Sequence, residues 1–280
     1  MPISIGTNTQ SLNAQRALSL TQNRLSGNLE KLSTGMRINN AADDAAGLAI
    51  SERFKAQIRS LGQAERNAMD GISLTQTAEG AMNEMSGVLT RMRELAVQAS
   101  NGTLGTTERQ YLDDERSALT NEITRIAQST RFNGQSLLTG GDFASGVALQ
   151  VGLGGSLGAS GFDTVDVVIA STTAADLGVS SLDFTTQSSA QAALTDLDSA
   201  IDTLSSRRAG LGAIQNRLQV SIANLGSARE NISAANSRIR DVDVASETAE
   251  MTRNNILMQA GVSILAQANQ APSVAMNLLR

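Results

Sequence analysis

The chain has 280 residues, of which 2% are aromatic, with no tryptophan, cysteine or histidine and a formal charge of −5 at neutral pH. That composition excludes a thick aromatic core, disulfides, thiol nucleophiles, Ser-His-Asp triads and Cys/His zinc sites. The negative balance opposes binding to nucleic-acid phosphates, and no apolar run reaches the roughly 20 residues of a membrane span, so neither nucleic acid nor membrane is an expected partner.

Alanine, leucine and serine dominate, the composition of thin helical layers in which small residues let helices approach closely. The only prolines are Pro2 and Pro272. Proline breaks helix interiors, so its absence between them favours long helices. A first helix is predicted from Thr9 to Ser33, with Leu18, Leu25, Leu29 and Leu32 at heptad spacing and Gly35 ending it. Residues 37–47, RINNAADDAAG, are poor in large apolar side chains and read as an irregular connector.

A second helix is predicted from Leu48 to about Ser100. Two columns run along it, Leu61, Ala68, Thr75, Met82, Leu89, Ala96 and Ala64, Gly71, Ala78, Met85, Met92, Ala99, which together make one continuous seam. Asn101-Gly102 stops it. Thr107-Glu108-Arg109-Gln110 reads as a capping box opening a third helix with Leu112, Leu119, Ile123 and Ile126 on one face. Arg131 to Gly134 is a turn.

From Leu137 to about Thr186 Gly, Ser, Thr, Val and Asp take over. Val147–Val151 and Val165–Ile169 read as two short strands of a β-hairpin, separated by a glycine-rich stretch, 152–161. Beyond it Leu197, Leu204, Leu211, Leu218, Leu225, Ile232 and Ile239 stand seven residues apart, the seam of a helix from about Ser189 to Arg240. That column alone spans about 65 Å. Asp241-Val242-Asp243 is a break, and a last helix is predicted from Val244 to about Asn269, ended before Pro272.

The expected fold is mainly α: long antiparallel helices forming a coiled-coil-like rod with a small β-hairpin in the middle and the N- and C-terminal helices paired. The expected parts are terminal helical segments at 1–40 and 241–280, a helical rod built from 41–140 and 187–240, and a small β-element at 141–186. The connector residues Asn39, Asn40, Asp43 and Asp44 with Asp241 and Asp243 are expected to join the terminal segments to the rod. A joint there would let subunits of an assembly differ slightly from one another.

Chemistry has little to stand on. Asp43-Asp44 and Asp113-Asp114 are adjacent carboxylates that diverge in direction, and read as caps or salt-bridge partners. Residues 152–158, GLGGSLG, lack the lysine of a phosphate loop and the third glycine of a dinucleotide fingerprint, and read as a turn. No catalytic residue, cofactor or metal is expected. Asn101-Gly-Thr103 and Asn231-Ile-Ser233 fit the N-glycosylation pattern by chance, whereas Ser and Thr between Ser156 and Ser189 are better candidates for O-linked sugars. The N-terminal residues lack a basic stretch followed by an apolar run, so no cleavable secretory signal is expected.

Several motifs in consistent order carry a resemblance. Leu32 to Gly47 (LSTGMRINNAADDAAG), Ala64 to Ser73 (AERNAMDGIS) and Arg93 to Gln98 (RELAVQ) resemble the N-terminal region of bacterial flagellin. Ile264 to Gln270 (ILAQANQ), with Leu278-Leu279-Arg280, resembles its C-terminal region. The likeness covers about 1–140 and 187–280, and the short middle leaves no room for large outer domains.

The resemblance implies a structural subunit that self-polymerises into the flagellar filament for motility, with no enzymatic activity. Its terminal segments, 1–40 and 241–280, would form the inner helical layer and drive assembly after type III export, and would be poorly ordered when free and fold on assembly. Leu18, Leu25, Leu29, Leu32, the column from Leu197 to Ile239, Ile264, Leu265, Leu278 and Leu279 are the expected assembly seam. The expected partners are other flagellin subunits, a flagellar export chaperone at the C-terminal segment, and the filament cap and hook-junction proteins. Leu89, Arg91 and Leu95, with Glu115 on the third helix, resemble the surface recognised by Toll-like receptor 5, although Thr90 stands where the better-known pattern has Gln. An extracellular filament is expected in preference to a periplasmic one. A hook–filament junction protein, or an exported coiled-coil adaptor forming a discrete oligomer, are the alternative readings.

Overall fold

A computed structural model of the protein describes residues 7–154 and 163–278, excepting the side chains at 142 and 271–278. Its elements in order are α1 (Thr9–Thr34), α2 (Ala45–Ala99), α3 (Thr106–Ser129), β1 (Arg131–Phe132), β2 (Gln135–Ser136), α4 (Asp142–Ser145), β3 (Val147–Gln150), β4 (Thr164–Val167), α5 (Gln187–Arg240) and α6 (Val244–Leu278). The chain divides into two compact units, residues 1–56 with 231–280, and residues 57–230.

In the first unit α1 and α6 pair antiparallel, as the contacts Asn8 to Ala268, Leu18 to Gly261 and Asn28 to Asn254 show. The α1 face turned inward carries Ser11, Ala14, Leu18, Thr21, Leu25, Asn28 and Leu32, alternating three and four residues apart. The facing positions on α6 are Glu247, Met251, Asn254, Met258, Gly261, Leu265 and Ala268. Two expected seam residues fall off this face. Leu29 is 52% exposed and Ile264 58% exposed. Each is one residue from a true seam position, Asn28 and Leu265, and one residue turns a helix by about 100°. Of the C-terminal pair, Leu279 lies outside the described residues, and only the backbone of Leu278 lies within them.

The end of the last helix also differs from expectation. Instead of stopping before Pro272, α6 runs through it to Leu278. Proline at 272 has no N–H for the carbonyl four residues back, that of Ala268. Asn8 Nδ2 donates to that carbonyl at 2.8 Å, so the bond the proline withholds is supplied from α1.

The second unit is held by two hydrophobic clusters, a long one shared by α2, α3 and α5 and a smaller one of Ala68, Val151, Val165 and Leu218. Both columns of α2 are buried from Leu61 to Ala99, as are Leu197, Leu204, Leu211, Leu218 and Leu225 of α5. Ile232 and Ile239 continue the α5 column into the first unit and are half-buried. From α3, Ile123 and Ala127 are fully buried, with Leu112, Leu119 and Ile126 packed around them. The capping box does not form. α3 starts at Thr106 after an extended Gly105, whose side-chain position offers no cap, so Thr107 already lies inside the helix. Arg109 instead turns back, donating to the carbonyls of Ala99 and Asn101 and closing the C-terminus of α2.

β1 and β2 form a two-stranded hairpin whose turn, Asn133-Gly134, takes φ of +50° and +81°, the left-handed pair that suits Asn-Gly. β3 and β4 pair antiparallel, Val147 with Val167 through Gln150 with Thr164. The glycine-rich turn was expected between them, and its residues 155–161 lie outside the described residues, as do Ser156 and the first candidates for O-linked sugars. The following segment is anchored by charge. Asp113 Oδ1 accepts from the Phe184 amide at 3.1 Å and from Arg116 Nε at 2.7 Å. The guanidinium of Arg116 lies 5.9 Å from the centre of the fully buried Phe184 ring. The Asp113 carboxylate is thus a salt-bridge partner, as the sequence suggests.

The β-hairpin seats on a notch in α2. A Cβ at Gly71 would stand 2.2 Å from Leu149 Cδ1 and 3.2 Å from Leu218 Cδ1, whereas nothing lies within 4 Å of a Cβ at Gly80. Gly71→Val is expected to destabilise the protein by about 1–3 kcal/mol through displaced Leu149, and Gly80→Ala to stabilise it by about 0.5–1 kcal/mol by helix propensity. Urea unfolding of the two variants checks both signs.

Candidate assembly site

The expected connector and break come together inside the first unit. Arg37 N donates to the Arg240 carbonyl at 2.6 Å and Val242 N to the Gly35 carbonyl at 3.0 Å, around an isolated bridge between Met36 and Asp241. Arg37 Nη2 adds a bond to the Ile239 carbonyl at 2.7 Å. Arg240 is the pivot. Its Nε donates to Met36 Sδ, and its Nη1 donates to Glu52 Oε1 at 2.6 Å and to the buried Ser51 hydroxyl at 3.3 Å.

The acids flanking this pairing are caps, not catalytic pairs. Asp43 Oδ2 accepts from the amides of Asn39 and Asn40, both at 3.0 Å, closing the connector on itself. Asp44 Oδ1 accepts from Gly47 N at 2.8 Å and caps α2. Asp243 Oδ1 accepts from Ala245 N and Ser246 N and caps α6. Asp241 accepts from the Ser237 hydroxyl at 2.6 Å. Asn39 Nδ2 reaches Thr34 Oγ1 and Asn40 Nδ2 reaches Glu30 Oε1, tying the connector to the end of α1. Side-chain groups of both expected carboxylate motifs are therefore consumed by local structure.

Two polar stations along the α1/α6 seam carry no leucine and were not singled out from sequence. At one, Asn254 Nδ2 donates to Asn28 Oδ1 at 2.9 Å, and Asn28 Nδ2 donates to Glu247 Oε1. At the other, Asn8 reaches the Ala268 carbonyl, and the Ser11 hydroxyl donates to Asn269 Oδ1 at 2.7 Å. A buried Asn pair costs stability against leucine but is satisfied in one register. The signal was present: Ala14, Thr21 and Asn28 fill the second column that Leu18, Leu25 and Leu32 require.

The outer faces of the same helices are apolar and open. Leu12, Leu20 and Leu29 on α1 and Ile256, Leu257, Val262 and Ile264 on α6 are 49–62% exposed.

The receptor-like residues do not share one surface. Leu89 is fully buried and Leu95 is 1% exposed, both in the core of the second unit. Leu95, absent from both columns read along α2, is inside the core because α2 packs against both α3 and α5, which widens its buried face. Arg91 and Glu115 remain at the surface, paired at 2.9 Å, with Glu94 on the same guanidinium at 3.1 Å. Those hydrogen bonds, Glu115 first, raise the Arg91 pKa further. Among the described residues no group of acids is placed to hold a metal ion, and no helix is long and apolar enough to cross a membrane.

Comparison with known proteins agrees with the motifs. The chain matches the bacterial flagellin N-terminal helical region over residues 5–142 and the bacterial flagellin C-terminal helical region over residues 194–279. It is 48% identical to a flagellin of Halalkalibacterium halodurans, with 99% of each chain covered, and 46% identical to a flagellin of Bacillus subtilis, again with 99% of each covered. The crystal structure of Bacillus cereus flagellin is 33% identical, covers 61% of this chain and 94% of its own, and superposes with a TM-score of 0.49.

The joint carries a pH dependence. The Asp43 carboxyl is held below its usual range chiefly by the amides of Asn40 and Asn39, with Lys31 adding, and Glu52 by Arg240 and Lys55. Both values fall on folding, so their stabilisation is complete above about pH 5 and is lost as pH drops through the ordinary carboxylate range. In melting scans from pH 6 to pH 3, D43N/E52Q is expected to lose less stability than the parent protein; equal losses would show that neither group contributes.

Proposed function

The chain belongs to the bacterial flagellin family and is a structural subunit, not an enzyme, that polymerises into the flagellar filament; on that premise we propose that the paired α1 and α6 drive its assembly. Residues 1–40 and 241–280 form the inner helical layer, 41–140 and 187–240 the surrounding helical layer, and 141–186 a small β-element beside it. The observation that carries this is the open apolar face of the terminal pair. Seven large aliphatics there are about half exposed, and completing the burial of each is worth on the order of 1 kcal/mol. Copies of the same chain are the cover that a homopolymer supplies.

The joint of residues 35–44 with 239–243 connects the two layers and is the place where subunits adjust to one another. Hydrogen-bonded caps and one bridge, with Ile38 the buried side chain among them, make it adaptable. The exposed aliphatics of α6 also need cover before assembly, which suits an export chaperone on the C-terminal segment. Passage through the flagellar type III channel then places the filament outside the cell, in contact with hook-junction and cap proteins at its ends. Recognition by Toll-like receptor 5 would use Arg91 and Glu115, with Leu89 and Leu95 supporting the helix from beneath.

Electron microscopy of monomer added to short filament seeds tests the reading, with a variant lacking residues 244–280 as control. Long filaments from the full chain alone are expected. A stable small oligomer without growth would favour the junction or adaptor reading instead. Ile264→Asp, which places a charge on the open face and leaves the α1 seam intact, is expected to slow elongation at least tenfold, since burying an unpaired charge costs several kcal/mol.

A further inference from the structure

We infer that Asn8 is a positioning residue for the C-terminal turns of α6, and that those turns complete only when α1 docks. Three observations converge on it. α6 is helical on both sides of Pro272, to Leu278. The carbonyl that Pro272 leaves without its helical donor is that of Ala268, a residue only 8% exposed. Asn8 Nδ2 donates to that carbonyl at 2.8 Å from the opposite helix.

Proline at 272 removes one intrahelical bond, so a free α6 is expected to fray from Ala268 onward, and docking of α1 encloses a carbonyl that then needs a donor. Asn8 removes that cost, and it does so while capping its own helix: its Oδ1 accepts from Ser11 N at 3.1 Å. One amide therefore starts α1 with its oxygen and continues α6 with its nitrogen. Aspartate at the same position would cap α1 equally well but has no donor for the Ala268 carbonyl. The neighbouring bond from the Ser11 hydroxyl to Asn269 Oδ1 holds the same turn in place. Because α6 contains one proline, the freed carbonyl exists at one position only. The contact is thus specific to one alignment of the two helices, and it makes the order of the last turns conditional on the N-terminal segment.

The inference rests on pairing of α1 with α6 in the assembled subunit, and the test separates the two. Hydrogen exchange is followed by mass spectrometry in full-length filaments, with segment 9–34 reporting pairing and segment 269–278 reporting the last turns. Asn8→Asp keeps the α1 cap and loses the donor. It is expected to leave 9–34 protected while 269–278 exchanges roughly tenfold faster, the effect of a lost hydrogen bond and an orphaned carbonyl. Pro272→Ala restores the intrahelical donor, so in the N8D background it is expected to recover most of that protection, and in the parent background to add little. Equal gains from Pro272→Ala in both backgrounds, or unchanged exchange in N8D, would overturn the role of Asn8. Unprotected 9–34 in parent filaments would overturn the pairing itself, and the inference with it.

Discussion

The backbone pairing of residues 35–37 with 240–242 is the constraint on which the terminal helices depend. Three residues at the end of α1 meet three residues between α5 and α6, and Arg240 ties this crossing to the start of α2 through Glu52 and Ser51. Once those bonds form, the alignment of every later position along α1 and α6 follows at 1.5 Å per residue. The caps at Asp43, Asp44 and Asp243 serve the same end, since they fix where each helix begins and so where its first turn faces.

Along that seam the chain uses polar stations where a more hydrophobic pairing was available. Asn28 with Asn254, and Asn8 with the Ala268 carbonyl, are satisfied in one arrangement only. Leucine at such places would raise stability and loosen specificity. The consequence is a pair of helices that is precisely matched but thinly packed, with its remaining apolar side chains facing outward. In the second unit the balance is reversed: a continuous core of Leu, Met and Ala holds α2, α3 and α5 with few buried polar groups. That contrast distinguishes a unit that encloses most of its apolar side chains from one that leaves many of them open.

Charge acts locally throughout. Most ion pairs are exposed and contribute little on their own; Arg91 with Glu115 and Glu94 is of this kind. Among the described residues Asp113 with Arg116 is the pair in which both side chains are largely enclosed. Its side chains are 16% and 11% exposed, and it holds Phe184 against α3, anchoring the segment that leads into α5.

The sequence by itself determined the long helices, the seams of α2 and α5, the β-hairpin and the family. A period of seven is a property of the chain, and an extended column of branched or small side chains has no other economical burial. Gly35, the caps at Asp43 and Asp44 and the connector were legible because neighbouring residues set their conformations, whereas the box expected at Thr107 does not form. The tertiary structure alone decided what depends on the partner. Whether Leu95 lies inside or beside a core follows from how many helices α2 touches. Leu29 and Ile264 face outward because Asn28 and Leu265, one residue away, found partners across the seam. α6 passes Pro272 because a donor arrives from 260 residues away in sequence, a distance at which no local pattern carries information. Periodicity specifies a face, and only the opposing helix specifies which residues at its margin are buried.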